Sequence, residues 1–574
     1  MGSTKNIEYR DCYFQTFKEL LSQGGNTDGP IKTIESGKLI NLDIDKSIIQ
    51  NALFEYDVGF DNIRFNNKIT FKDCIFKSNV QFVDVSFNSI IVFEDCSGVG
   101  NIDFINCAFN DFQIVSGSYE SIRFIGTTRE SIFGLNSVKF NLCSLKKLEI
   151  KSKELHTSIE FNGGNVDDLF ISRSRLYRSL LFINNFYCKS FIAETSEFNA
   201  RLDFYDSNFG NVYLRKASFN EQLVFRKEFK CRSLSFSNTY SKRSIAISFC
   251  NDNIASLDIG DCNAEGNLTL SGELNKDLKV AQCISLSLSG TFHGFMSISN
   301  IPVFANIDAI NFGTIHFDNF RPKILTFQNF HNYGKLVLSN LHLHKDYNCL
   351  IIYDSCIRST EFINADFREF DEVVIAKSNV SELVLSNSLL PSEISTETKN
   401  QNLGYKIQSI NKITDNIYKQ ENYRQLRIAM ESQGNRKEAL HYKSLEMDCL
   451  RKELPFGWDK VLLFLNFLSN KHGLSWTRGV LFTILSALFF FLLYENTLQN
   501  PHFYWTFDSS LLISKDAFFN GTRYFLKYLS SFPSLRFEQD TDSAAANFIT
   551  VFARIFIGYG IFQTISAFRK FGAK

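Results

Sequence analysis

The amino-acid sequence predicts a mainly β fold: a parallel β-helix solenoid, followed by an αα-hairpin neck and a two-helix transmembrane domain. Three observations predict it. Apolar pairs with one residue between them recur as Ile159/Phe161, Leu169/Ile171, Leu180/Phe182, Leu202/Phe204, Val212/Leu214, Leu223/Phe225, Leu234/Phe236, Ile245/Ile247, Leu257/Ile259 and Leu268/Leu270, with Ile192 in the one gap. The second members advance in steps of 10 to 12, and a period sustained that long marks a repeat architecture rather than a compact globule. Upstream, Phe65, Phe71, Phe76, Phe82, Phe87 and Phe93 are separated by alternating steps of 6 and 5, which neither a helix at 3.6 nor a coiled coil at 3.5 residues per turn produces. Past residue 400 the spacing turns helical and then gives way to two long apolar runs.

Residues 1–60 are an irregular lead-in. They are expected to cap the open end of the solenoid, because an exposed terminal coil is a sheet edge that invites aggregation. From 61 to 390 each apolar pair has the period of 2 that belongs to a strand, followed by turn residues rich in Asn, Asp and Ser. The rhythm loosens after 272, yet Met296/Ile298, Ile315/Phe317, Leu325/Phe327, Leu336/Leu338 and Leu383/Leu385 keep it. Pro391 and the polar run after it close the segment. A chain wound so that one inward residue per side meets its successor stacks a phenylalanine ladder along the axis.

Segments such as "CAFNDF", "SEFNARLDFYDSNFGNVYLRKASFNEQLVF" and "NADFREFDEVVI" place a small residue, Cys or Asp two positions before a central Phe. Here the chain resembles the pentapeptide-repeat proteins. The resemblance implies a right-handed β-helix with four sides and a bacterial source. The family's strict five is here a 5/6 alternation, which makes a coil of about 22 residues; a three-sided β-helix of similar coil length is the alternative. Some 15 coils stacked at about 4.8 Å make a rod about 70 Å long.

Composition narrows the partners. Phe accounts for 60 of 574 residues and Pro for only 7, as expected of a ring-stacked core whose strands all donate hydrogen bonds. Basic and acidic residues balance at 61 each, so no surplus of cations is left to neutralise nucleic-acid phosphates, and no nucleic-acid partner is expected. Of the 13 cysteines, Cys74, Cys96, Cys107, Cys250 and Cys262 sit at repeat positions and no CxxC occurs. They read as reduced core residues in a reducing compartment. The stretch MGSTKNIEYRDCYFQTFKEL has no apolar core, so no secretory leader is expected.

Residues 405–454 form the neck. Tyr423, Leu426 and Met430, then Ala439, Tyr442, Leu445 and Cys449, fall at helical spacing, with Gly434-Asn435 parting the two runs. The neck looks like one tetratricopeptide-type hairpin; a single copy builds no peptide groove, so a structural joint is the simpler reading. Residues 456–472, with FGWDKVLLFLNFL, are apolar but too short to span, and predict an interfacial amphipathic helix with Trp458 and Lys460 at the headgroups. The membrane domain, 476–574, holds two spans, 479–494 and 548–568, flanked by Trp476, Tyr494 and Arg569-Lys570. Lys460, Lys471 and Arg478 precede the first span and Arg569, Lys570 and Lys574 follow the second. That bias predicts an inner-membrane, multi-pass protein with both termini and the solenoid in the cytoplasm.

Arg554 stands near the middle of the second span. A charge there costs about 2.5–3.5 kcal/mol on insertion scales and is normally directed at a bundle interior or a watery path. Thr550, Arg554, Gly558 and Thr564, with Gln563 beside them, make a polar stripe. It reads either as a pore or inter-helix lining, or as an Arg held by an acid or by lipid phosphate. The aromatic loop with FNGTRYFLKYLSSFPSLRF suggests a re-entrant or interfacial helix closed by Pro533. Span, re-entrant segment, span resembles channel-like modules appended to bacterial pentapeptide-repeat proteins. No TVGYG precedes the last span, and Gly558-Tyr559-Gly560 lies inside it, where it suits close helix packing.

No P-loop, GxSxG, HExxH or dinucleotide fingerprint occurs, so neither an enzyme nor a cofactor is expected. His342 and His344 share a strand face, but two imidazoles without a third ligand make no metal site. Asp203 and Asp258, each between paired apolar residues, are expected to point into solvent. The function expected is a binding or sensing solenoid coupled to a homo-oligomeric membrane domain, with conduction of ions by that domain an open alternative. The solenoid surface is the place expected for a protein partner. The alternative is an inert scaffold tethered to the lipid bilayer.

Overall fold

A computed structural model describes residues 32–34, 37–40, 43–44, 48–126, 133–226, 228–249, 254–272, 284–342, 347–391, 393–397, 412–497, 515–530 and 544–572. The chain divides into two compact units, 1–374 with 385–393, and 375–384 with 394–574.

The first unit is a parallel β-solenoid of about 14 turns. One turn shows how the 5/6 rhythm becomes shape. Arg64–Phe65 and Ile69–Lys72 both pair with Ser86–Glu94, while Ile75–Phe76 and Val80–Val83 both pair with Ser97–Ile105. Each turn therefore has two long sides, each bent once, giving four strand segments. The corners between long sides are Asn62, Asp73, Asp84, Asp95 and Asn106, evenly spaced along the chain and all with φ of 51–52°. That left-handed conformation penalises most side chains, whereas Asn and Asp tolerate it through short, locally bonded polar groups. These five corner residues are Asn and Asp because the corner demands a positive φ, although Leu142, Arg173, Thr195 and Lys216 adopt it further on.

With corners at a fixed interval, equivalent residues stack. Val58 pairs with Val80, and Val80 with Ile102 one turn further on. The rings follow: Phe60–Phe82, Phe82–Phe104 and Phe104–Phe124 have centroids 4.6, 4.9 and 5.1 Å apart, and Phe65–Phe87–Phe109 forms a second column at 5.0 and 5.1 Å. All these phenylalanines are buried, each contributing about 1.5–3 kcal/mol of apolar burial. Further on the step varies. Ile284 pairs with Val303, a shorter interval than Val58 to Val80, and Ile324 pairs with Cys349, a longer one. This irregularity is the loosened rhythm of the later sequence.

Two sequence expectations change. Parallel pairing already joins Lys32–Ile34 to Ala52–Phe54, so winding begins before residue 61. Phe54 and Phe60 belong to the same ladder. Residues 1–31 of the expected cap lie outside the described residues. Asp203 is buried rather than solvated: it points outward, but Arg226 binds it through two nitrogens at 3.0 and 2.9 Å and Arg201 at 3.0 Å, covering it with their stems. Asp258 is exposed. Among the cysteines, Cys74, Cys96, Cys107 and Cys262 are free and buried, while Cys250 and His344 lie outside the described residues.

The second unit is helical. Helix α1 (Lys412–Ser432) and α2 (Arg436–Glu453) form a hairpin parted by Gly434 at φ 73°, with Asn435 accepting from the Glu438 N–H at 3.3 Å as the α2 cap. One side of α1 serves the backbone of segment 375–384. Asn422 Nδ2 donates to the Ile375 carbonyl at 2.5 Å, Gln425 Oε1 accepts from the Val380 N–H at 2.7 Å, and Gln433 Nε2 donates to the Leu383 carbonyl at 2.6 Å. Glu446, buried on α2, is paired to Arg427 of α1 at 2.9 Å.

Helix α3 (Trp458–Asn470) follows, with the Lys460 ammonium donating to the Leu454 carbonyl at 2.7 Å. Lys471, His472 and Gly473, all at positive φ, turn the chain into α4 (Trp476–Glu495). Helices α5 (Lys515–Ser530) and α6 (Ala544–Gly572) complete the unit. Helices α4 and α6 are long and apolar enough to cross a membrane.

Candidate functional site

In helix α6, Ala546, Thr550, Ala553, Ile557, Gly560, Thr564 and Ala567 recur at steps of 4 and 3. Small residues at that spacing let a second helix approach closely. A Cβ on Gly560 would collide with Thr483 Oγ1, and one on Gly479 would come within 2.6 Å of Thr564 Oγ1. Helices α4 and α6 therefore run antiparallel with glycines apposed to threonines at two levels. The threonines spend their hydroxyls on their own helix, Thr483 on the Gly479 carbonyl, Thr550 on that of Ala546 and Thr564 on that of Gly560, at 2.8–2.9 Å.

The opposite surfaces are apolar and exposed. Phe552, Ile555, Phe562 and Ile565 on α6, and Leu481, Leu485 and Phe489 on α4, face outward, Phe562 at 64% of its surface. Only 22% of the apolar window of α4 and 33% of that of α6 is buried. Burial is thus inverted relative to a water-soluble helix pair, which would put phenylalanine inside and threonine outside.

The amphipathic helix α3 repeats the inversion. Its apolar residues Leu462, Phe464 and Leu468 are exposed, as are Phe456 at 93% and Trp458 at 85%, whereas Ser469 and Asn470 are buried. The inward amides meet α6. Asn470 Nδ2 donates to Gln563 Oε1 at 2.5 Å, Gln563 Nε2 to Asn466 Oδ1 at 2.7 Å, and the Tyr559 hydroxyl to the same oxygen at 2.5 Å. A closed amide network of this kind fixes the register of two helices, because breaking it strands polar groups away from water.

Arg554 is buried and turned toward α5. Its Nη1 donates to the Tyr528 carbonyl at 2.8 Å and its guanidinium lies 4.9 Å from the centre of the Tyr528 ring. Tyr528 stands in the last turn of α5, where carbonyls lack helical partners and the helix dipole is negative. The cation therefore caps a helix terminus. Around it, Phe491 and Tyr494 of α4 pack on the Tyr528 ring at 5.5 and 5.7 Å.

The polar stripe is consequently shared out. Thr564 lies in the α4 seam, Thr550 is buried on the same stripe, Arg554 reaches α5, Gln563 reaches α3, and Gly558 is half-buried one step off the stripe. Gly560 makes a close helix contact. Sequence reasoning missed Asn466, Asn470 and Tyr559. The available signal was two asparagines one helical turn apart in an otherwise apolar helix. In the aromatic loop, α5 leaves Phe518, Phe519 and Leu526 exposed, while Pro533 lies outside the described residues. No family model, no curated protein and no solved structure matches the chain.

Proposed function

We propose that this chain is a membrane-anchored, pentapeptide-repeat-like solenoid whose cytoplasmic surface binds a protein partner and whose helices α3 to α6 form an oligomeric anchor. The observation that carries the reading is the inverted burial of the second unit. Exposing a phenylalanine or leucine to water forfeits about 1.5–3 kcal/mol each, a cost that hydrocarbon removes. The buried amides and threonines bond one another and the backbone, and Arg554 donates to a backbone carbonyl, as an interior without water favours. Four segments per turn support the four-sided, pentapeptide-like form. The reduced, buried cysteines and the cations at residues 471, 478 and 569 support a cytoplasmic solenoid in an inner membrane.

The test is fractionation. The full chain should stay with membranes through an alkaline carbonate wash, and a chain ending at 454 should be soluble. Release of the full chain by carbonate would sink the anchor.

A second reading, ion conduction, is favoured by the presence of a cation inside a span. Its test is planar-bilayer recording of the reconstituted protein and of Arg554→Leu. A pore lined by Arg554 requires a conductance that the variant alters. Electrical silence of both leaves the scaffold reading, in which Arg554 only caps α5.

A further inference from the structure

The contacts of α3 and α4 with α6 assemble three cations that are scattered in sequence. Lys471 follows Asn470, whose amide also bonds the Gln563 carbonyl at 3.2 Å. Arg478 precedes Gly479, which lies against Thr564. Arg569 follows Phe568, whose ring is 4.8 Å from that of Trp476. All three are exposed, and among the described residues none of them is in an ion pair. Asp448 on α2 is held by Arg451 at 2.6 Å and Lys452 at 2.9 Å. At the other ends of the two helices, residues 491–497 and 544–553 include no cation. Exposed aromatic rings stand beside them: Trp476 and Phe568 at the same level, and Trp458 at the start of α3.

We propose that Lys471, Arg478 and Arg569 form a collar that selects anionic phospholipid headgroups in the leaflet that Trp458 and Trp476 enter. This inference rests on the membrane reading above. Charge complementarity identifies the occupant: free cations at the rim of an apolar surface meet phosphate and anionic headgroups, whereas a zwitterionic headgroup offers no net charge. A cation near such a surface strengthens binding about fivefold, equivalent to about 1 kcal/mol, and the effect is screened by salt.

The test uses the full chain carrying Trp505→Phe, so that Trp458 and Trp476 are its only tryptophans. It is reconstituted in phosphatidylcholine vesicles containing a fixed fraction of brominated phosphatidylglycerol or brominated phosphatidylcholine. The expected result is tryptophan quenching by the anionic quencher that corresponds to at least about fivefold local enrichment. That enrichment should shrink in high salt, be lost in a Lys471→Gln, Arg478→Gln, Arg569→Gln variant, and persist in Lys471→Arg, Arg478→Lys, Arg569→Lys. Equal quenching by both lipids overturns the collar and leaves the membrane reading standing. Quenching by neither overturns both.

Discussion

Removing Phe204 tests the stacked interior most directly. The ring is fully buried and covered on both faces, by Phe182 at 4.9 Å and Phe225 at 4.5 Å, with Phe209 and Phe229 against its edge, each at 5.3 Å. Replacing a buried phenylalanine by alanine costs about 3–5 kcal/mol, the larger values arising where the site cannot collapse. Collapse is resisted here because the backbones above and below are tied in register, Leu202 to both Leu180 and Leu223. Phe204→Ala should therefore fall near the top of that range, about 5 kcal/mol, or about three to four powers of ten in the opening equilibrium. A solenoid is stabilised by nearest-neighbour contacts, so the loss should centre on the turns containing 180–183, 202–204 and 223–225. Hydrogen exchange resolved by mass spectrometry on the detergent-solubilised protein reads both size and location. Phe312→Ala, removing a half-exposed ring stacked on His293 and Tyr333, should cost about 1 kcal/mol. A Phe204 effect no larger than that of Phe312, or one spread evenly from 32 to 390, would refute the column.

Other outcomes follow from the same geometry. Burial pushes the Cys107 thiol up to about 12, and that of Cys143 likewise up to about 12, so both stay protonated near neutral pH. Iodoacetamide should label them only after denaturation, and rapid native labelling read by mass spectrometry would contradict the packing. Gly560→Val would drive a side chain into Thr483, a clash worth about 1–3 kcal/mol by the usual cost of overpacking. Thermal aggregation in detergent should start earlier than for wild type, with Gly560→Ala between them. Burial holds His472 below its ordinary value, with Asp448 opposing and Arg451 reinforcing. The unfolded chain then takes the proton first, so stability is present above about pH 6.5 and declines as pH falls below it. Melts across that range should show the decline, and His472→Gln should flatten it.

How far each feature could be read in advance depends on the range of the interaction behind it. The solenoid is written locally: a corner at each half-turn and an inward ring per segment follow from Asn, Asp and Phe spacing alone, since each turn repeats its neighbour's problem. The same holds for the hairpin at Gly434 and for the two apolar helices, whose length and hydropathy are properties of single segments. The destination of a polar side chain is another matter. Asp203 is shielded by Arg226, 23 residues away, and Gln563 meets Asn470, 93 residues away. Spacing along α6 placed Thr550, Arg554 and Thr564 near one face with Gln563 beside them, but only packing sent Thr564 to α4, Arg554 to α5 and Gln563 to α3. A helix offers its polar groups in every direction, and the partner that satisfies each is chosen by the tertiary structure.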